Sequence, residues 1–207
     1  MTMYLKDGGI WKEDAPKLKD AGIWKDVETG YVNVGGVWKP FFENAGKYQL
    51  LADITVSVSA VTQVDITGLS LDKNSEYLLV SDLVNTTGST ASVFLFANGN
   101  VGTYYTQRIE ASGTTISSTR YNASYVVEAT TSSRGMALTN IKLTNSGYFV
   151  FQSEVQRGYG TSSNLLQIDY CSSTFTTSGI TVLNLVSGMT NCIGVGSRFQ
   201  LYKIGGA

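Results

Sequence analysis

Met136–Gln156 reads MALTNIKLTNSGYFVFQSEVQ, and its pattern decides the fold class. Apolar and polar residues alternate through MALTNIKLT, break at Asn145–Ser146–Gly147, and alternate again through YFVFQSEVQ. A period of two is the signature of a strand with one buried face, and an Asn/Ser/Gly cluster between two such runs marks a turn. The stretch therefore predicts two antiparallel strands. The same pattern extends in both directions. QLLADITVSVS, TQVDITGLSL, EYLLVSDLV, ASVFLFANGN and YNASYVVEAT precede it, and NLLQIDY, ITVLNLV and RFQLYKI follow it. Asn98–Gly99–Asn100 forms a strong turn signal between VFLFA and VGTYY. No segment sustains an i, i+3, i+4 apolar pattern of helical length. Eight to ten strands with no helical crossover predict an all-β chain whose larger part, residues 47–207, is an antiparallel, jelly-roll-like β-sandwich.

Residues 1–46 differ in kind. YLKDGGIWKED, KLKDAGIWKDV and YVNVGGVWKPF repeat one unit, with a tryptophan at Trp11, Trp24 and Trp38 and a lysine after each at Lys12, Lys25 and Lys39. No other tryptophan occurs in the chain. Two short alternating runs joined by Gly-Gly suit a tight hairpin, because glycine supplies positive φ without strain. Ala21 replaces the first glycine in the second unit and implies a slightly different turn. Three such hairpins are each too small to stand alone and must stack on one another or on a partner. The tryptophans supply the shared apolar contact, as a miniature core or as a docking surface.

Charge marks the boundary between the two parts. Of the first 47 residues 14 are charged, against 17 of the following 160. The fall coincides with the turn-like stretch ENAGK, which places the division near Asn44–Lys47.

Composition excludes several functions. The formal net charge of −1 gives no electrostatic reason to bind nucleic acid or an anionic membrane. The first residues, MTMYLKDGG, lack the apolar run of a signal peptide, and no stretch approaches the roughly 20 apolar residues of a membrane span. A soluble protein made in a cytoplasm is the expectation. The chain has no histidine, which removes Ser-His-Asp and Cys-His catalysis and histidine-based zinc sites. Two distant cysteines, Cys171 and Cys192, form no metal motif and are read as buried free thiols. Glycosidases require paired carboxylates, and these are sparse. Glu110, Glu128, Glu154 and Asp169 are read as solvated strand-face residues. No enzymatic activity, metal or cofactor is expected. Binding is favoured instead. Tyr104, Tyr105, Tyr121, Tyr125 and Tyr159 lie among Ser, Thr, Gly and Asn, a palette suited to polar recognition. Tyr104 and Tyr105 follow the Asn98–Gly99–Asn100 turn and Tyr159 sits in RGYG, so all three are expected near exposed tips, with one of the adjacent pair facing outward.

The GGxWK segments at Gly8–Lys12, Ala21–Lys25 and Gly35–Pro40, followed by a Ser/Thr-rich β region ending in SRFQLYKI, resemble virion surface proteins of tailed bacteriophages. The resemblance implies an amino-terminal module that docks on another virion protein through Trp11, Trp24, Trp38 and their adjoining lysines. It also implies a trimeric carboxyl-terminal β domain displayed on the particle. A tail-fibre or receptor-binding protein is the first expectation, with Tyr104, Tyr105 and Tyr159 contacting a host-surface glycan. A head decoration protein that stabilises the capsid is the alternative.

Overall fold

A computed structural model describes residues 4–7, 10–13, 17–20, 23–26, 29–34, 37–43, 48–112, 115–158 and 165–205. The described elements are all strands, and among them no helix is long and apolar enough to cross a membrane. The chain divides into two compact units, Met1–Tyr48 and Gln49–Gly206.

In the first unit, β1 (Tyr4–Asp7) pairs with β2 (Ile10–Glu13), β3 (Lys17–Asp20) with β4 (Ile23–Asp26), and β5 (Thr29–Val34) with β6 (Val37–Glu43), all antiparallel. Register places Trp11 opposite Lys6, Trp24 opposite Lys19 and Trp38 opposite Asn33. The side-chain environments of Trp11, Trp24, Trp38, Lys12, Lys25 and Lys39 lie outside the described residues, as does the Ala21 turn.

The second unit follows with β7 (Tyr48–Thr55), β8 (Gln63–Ile66), β9 (Glu76–Val84), β10 (Ala91–Ala97), β11 (Tyr104–Ser112) and β12 (Thr115–Tyr121). It continues with β13 (Tyr125–Ala129), β14 (Arg134–Leu143), β15 (Tyr148–Arg157), β16 (Leu165–Thr176), β17 (Leu183–Ser187) and β18 (Arg198–Ile204). One sheet has four strands in the order β13-β10-β17-β8, and the other has eight in the order β12-β11-β16-β15-β14-β9-β18-β7. The sequence predicts eight to ten strands here. The additional pair is β11–β12, whose alternation is masked by polar residues on the face that turns inward.

Two inner faces build one core. Val93, Leu95, Val127 and Leu185 of the smaller sheet meet Leu79, Ile141, Phe149, Phe199 and Leu201 of the larger, all fully or almost fully buried. Each such side chain contributes roughly 1.5–3 kcal/mol relative to exposure. The edge strand β13 lies over β9, β14, β15 and β16. The approach is so close at Gly135 that a Cβ there would stand 1.8 Å from the Glu128 carbonyl oxygen, so only glycine admits the crossing.

The predicted turn after β10 is present, and it carries the chain from one sheet to the other. Asn98 (φ 54°) and Gly99 (φ 69°) both occupy the left-handed region, as a type I′ turn requires. The Asn98 side-chain oxygen accepts the N–H groups of Thr181 (2.8 Å) and Val182 (3.2 Å), which pins the turn to the strand-β17 approach.

Candidate functional site

Alternation along the strands fixes what the outer face of the eight-stranded sheet presents. Register aligns one row across it as Arg120, Gln107, Tyr170, Gln152 and Asn140, on β12, β11, β16, β15 and β14 in turn. A neighbouring row runs Tyr105, Ser172, Val150, Lys142 and Glu76. Between them lies a groove of about 470 Å³. Its polar groups are amides, hydroxyls, two tyrosine rings and the charged Glu76, Lys142 and Arg120. Tyr105 is 51% exposed and Tyr170 49%, so both rings stand clear of the sheet. Lys142 donates to the Glu76 carboxylate at 2.8 Å, while the exposed Arg120 makes no ion pair with any described residue. Such an arrangement can stack a flat apolar ligand face and hydrogen-bond its rim.

The other end of the same face is apolar. Ile109 aligns with Ile168 and Ser118, and Ala111 with Leu166 and Ile116, interrupted only by Glu154 and Gln156 before Leu138 and Met136. Ile116 is 76% exposed and Leu166 61%. Behind this patch the inner face is charged, so the usual polarity of a sheet is inverted there.

That inner face holds a buried ion network. Arg108 donates from Nε and Nη2 to the two Asp169 oxygens at 2.8 and 3.0 Å, and from Nη1 to Glu128 at 3.0 Å. Arg157 bridges Glu128 (3.3 Å) and Glu110 (2.7 Å), and Ser92 donates to Glu128 at 2.7 Å. The Arg108 guanidinium also lies 4.4 Å from the Tyr125 ring centroid and 5.0 Å from that of Tyr121. Burial pushes the Asp169 carboxyl upward against the opposing pull of Arg108, which in turn is held further protonated by Asp169 and Glu128 despite its own burial. Because Asp169, Glu128 and Glu110 are each bonded to an arginine, they act as a structural clasp joining β11, β13, β15 and β16.

Several sequence expectations are corrected by these contacts. Glu128 and Asp169 are buried rather than solvated, and Glu110 is only partly exposed, whereas Glu154 is on the solvent face as expected. Ionised groups are buried here because each is paired. Arg157 does not sit at a loop tip but closes the same network. Tyr121 and Tyr125 are half-buried against Arg108. Tyr104 is in the core, 1% exposed, in ring contact with Phe96, Phe149 and Phe175. Its hydroxyl donates to the Asn100 carbonyl at 3.1 Å and accepts the Ala97 N–H at 3.3 Å, and burial pushes it up to about 12. Its neighbour Tyr105 is the outward member of the pair. Tyr159 lies outside the described residues. Cys171 and Cys192 are free and buried, and burial raises the Cys171 thiol to about 12.

Sequence reasoning missed Tyr170, Arg120 and Arg108. Tyr170 ends the run LLQIDY, and its strand periodicity puts it on the same face as Leu166 and Ile168, which reads as a core face and so hides its exposure. The partnership of Arg108 with residues 20 and 61 positions away leaves no local trace. Among the described residues, no group of three or more His, Cys, Asp or Glu is placed to hold a metal ion. Comparison with protein-family models, curated proteins and solved structures finds no match to this chain.

Proposed function

We propose that this chain is a structural protein of a tailed-bacteriophage virion, in which the amino-terminal hairpin repeats dock on a neighbouring virion protein and a trimeric β domain is displayed as a tail-fibre or receptor-binding element. It works by binding and needs no cofactor. The observation that carries this reading is the groove beside Tyr105 and Tyr170. Two half-exposed aromatic rings beside amides in one groove offer stacking faces and hydrogen-bonding groups together, which suit a host glycan.

Other features support it. Strands β13-β10-β17-β8 and β14-β9-β18-β7 form two interleaved four-stranded sets, the strand order we assign to a jelly roll. On this assignment β15-β16 and β11-β12 are hairpin insertions that widen one sheet beyond β14. The three antiparallel pairs of residues 4–43 present tryptophan at one register position each, so three weak contacts would add through effective concentration. The apolar half of the outer face gathers the exposed Ile109, Ile116, Met136, Leu138 and Leu166, and we assign it to contacts between subunits, which leaves the polar groove free.

Competition for host cells tests the reading. Purified protein should block particle attachment, and Tyr105→Ala or Tyr170→Ala should weaken the block by about tenfold or more, since an aromatic at a binding hot spot contributes on the order of 2 kcal/mol. Protein that binds particles yet never competes for cells would shift the function to head decoration. Removal of residues 1–44 should leave a folded β domain that no longer joins particles.

A further inference from the structure

The groove has a charge that the receptor reading alone does not use. Lys142 is matched by Glu76, but Arg120 stands at the end of the Tyr170 row with its guanidinium exposed and unpaired among the described residues. We propose that the groove takes an acidic oligosaccharide, with Arg120 binding a sugar carboxylate while Tyr105 and Tyr170 stack successive sugar rings; this rests on the reading of the groove as a receptor site.

Geometry gives the assignment its order. Arg120 is directly opposite Gln107, and Gln107 directly opposite Tyr170, so guanidinium and ring are rooted two strands apart. At about 4.8 Å per strand that is about 10 Å, and the full row to Asn140 spans about 19 Å, the reach of a short oligosaccharide laid across the strands. Tyr105 is rooted on the strand between Arg120 and Tyr170, one row away, so the two rings are diagonal neighbours rather than a single platform. Gln107 and Gln152 flank Tyr170 on both sides. Their amides offer a donor and an acceptor each, which matches the hydroxyls around a sugar ring held on that tyrosine. A guanidinium meets a carboxylate through two parallel N–H···O bonds, a geometry that an ammonium or a neutral amide lacks. Because Arg120 is exposed at the edge of the sheet, it is free to rotate onto the ligand. The same exposure makes its contribution sensitive to salt. Nothing else in the groove is positive without a partner, so charge selectivity should reside in this one residue.

Calorimetric titration of the full chain with trimers of galacturonate, glucuronate and sialate, each beside its methyl ester, tests the assignment. A glycerol-phosphate trimer supplies the phosphate arm. At least one acidic trimer should bind about tenfold more tightly than its ester at low salt, with the gap closing as salt rises. Arg120→Gln should abolish the gap while leaving ester binding in place, and Tyr170→Ala should weaken acid and ester alike. Equal binding of acid and ester by the native chain, or a gap that survives Arg120→Gln, would overturn the proposal. Tighter binding of the phosphate trimer than of any carboxylate would replace the sugar acid with a phosphate. If no acidic trimer binds while the protein still competes for host cells, the acidic class is wrong and the receptor reading stands. If it neither binds nor competes, both fall.

Discussion

Replacing Arg108 with methionine should be among the most damaging single changes in the β domain. The guanidinium makes two hydrogen bonds to Asp169 and one to Glu128, and it fills the space against Tyr125 and Tyr121. Methionine keeps most of the volume and removes the charge. Glu128 retains Ser92 and Arg157, but Asp169, with 0% exposure, is left with Gln167 alone. Breaking a buried pair by removing one partner costs about 3–5 kcal/mol. With a urea m-value near 2 kcal/mol/M, the unfolding midpoint should fall by about 2 M. The pH dependence gives an independent check. Burial already raises the Asp169 carboxyl above its ordinary 3.8, and without Arg108 less opposes that shift. A carboxyl whose folded value lies above its unfolded value binds its proton more readily in the folded state. The Arg108→Met deficit should therefore shrink as pH is lowered from neutrality, because Asp169 takes up its proton more readily in the folded variant. Arg108→Met with Asp169→Leu should recover most of the lost stability, since an apolar pair can replace a buried ion pair at little cost. A loss under about 1 kcal/mol, or a deficit that grows with acid, would refute the argument that these charges are buried and mutually dependent.

Three further outcomes follow from particular contacts. Tyr104→Ala should cost about 3–5 kcal/mol in urea unfolding, against about 0.5 kcal/mol or less for Tyr105→Ala, because one ring is in the core and the other in solvent. Stability should be level near neutrality and fall above pH 9, by about 1.4 kcal/mol per pH unit from Cys171 alone, because its thiol titrates at 9.0 unfolded and about 12 folded. Tyr104 adds to the slope above pH 10, and Cys171→Ala should make the decline shallower. Light scattering should give three times the 22.3 kDa chain mass, and Ile109→Lys with Leu166→Glu should yield folded monomers. A native monomer at micromolar concentration would contradict that assignment of the apolar face.

Legibility in the sequence tracked the agreement between periodicity and burial. Strands β14 and β15 are plain in MALTNIKLT and YFVFQSEVQ because their inward residues, Ala137, Ile141, Phe149, Phe151 and Val155, are apolar. Strand β11 is not, because its inward residues run Tyr104, Thr106, Arg108 and Glu110 while Ile109 and Ala111 face out. NLLQIDY reads as a strand in either phase, but hydrophobic burial would send Leu166 and Ile168 inward, and the observed register sends Gln167 and Asp169 there instead. Alternation also shows that one of Tyr104 and Tyr105 must face out without showing which, since the choice depends on how the Asn98–Gly99 turn delivers β11 to the second sheet. The carboxylates were misplaced for a related reason. Burial of Glu128 and Asp169 depends on a partner brought in from another strand, and ordinary charge exposure is the better guide only when no such partner exists.

The inverted polarity at one end of the wide sheet has a mechanical origin in the mismatch of widths. Eight strands face four, and β13, the edge of the smaller sheet, lies over β9, β14, β15 and β16 and reaches β11 through Glu128 and Tyr125, which contact Arg108. β12 lies outside that cover, and its residues up to Arg120 are exposed on both faces. The groups that reach Arg108 from the smaller sheet are Glu128 and Tyr125, so charged residues on the inner side of β11 are tolerated because they satisfy one another. Arg108 and Arg157 do so with Asp169, Glu128 and Glu110, while Tyr121 and Tyr125 place their rings against the Arg108 guanidinium. The clasp ties β11 to β13, β15 and β16 beneath the outer face. That face then has room for two surfaces with opposite character: an aromatic and polar groove near Tyr105 and an apolar plate near Leu166. A sheet of four strands would give neither, since the groove row from Arg120 to Asn140 alone crosses five. Loosening the clasp should therefore reach the groove as well as the fold. A milder variant such as Glu110→Gln, which removes only the half-exposed end of the network, should lower ligand affinity without unfolding the domain, and unchanged affinity would show that the outer face is rigid without the clasp.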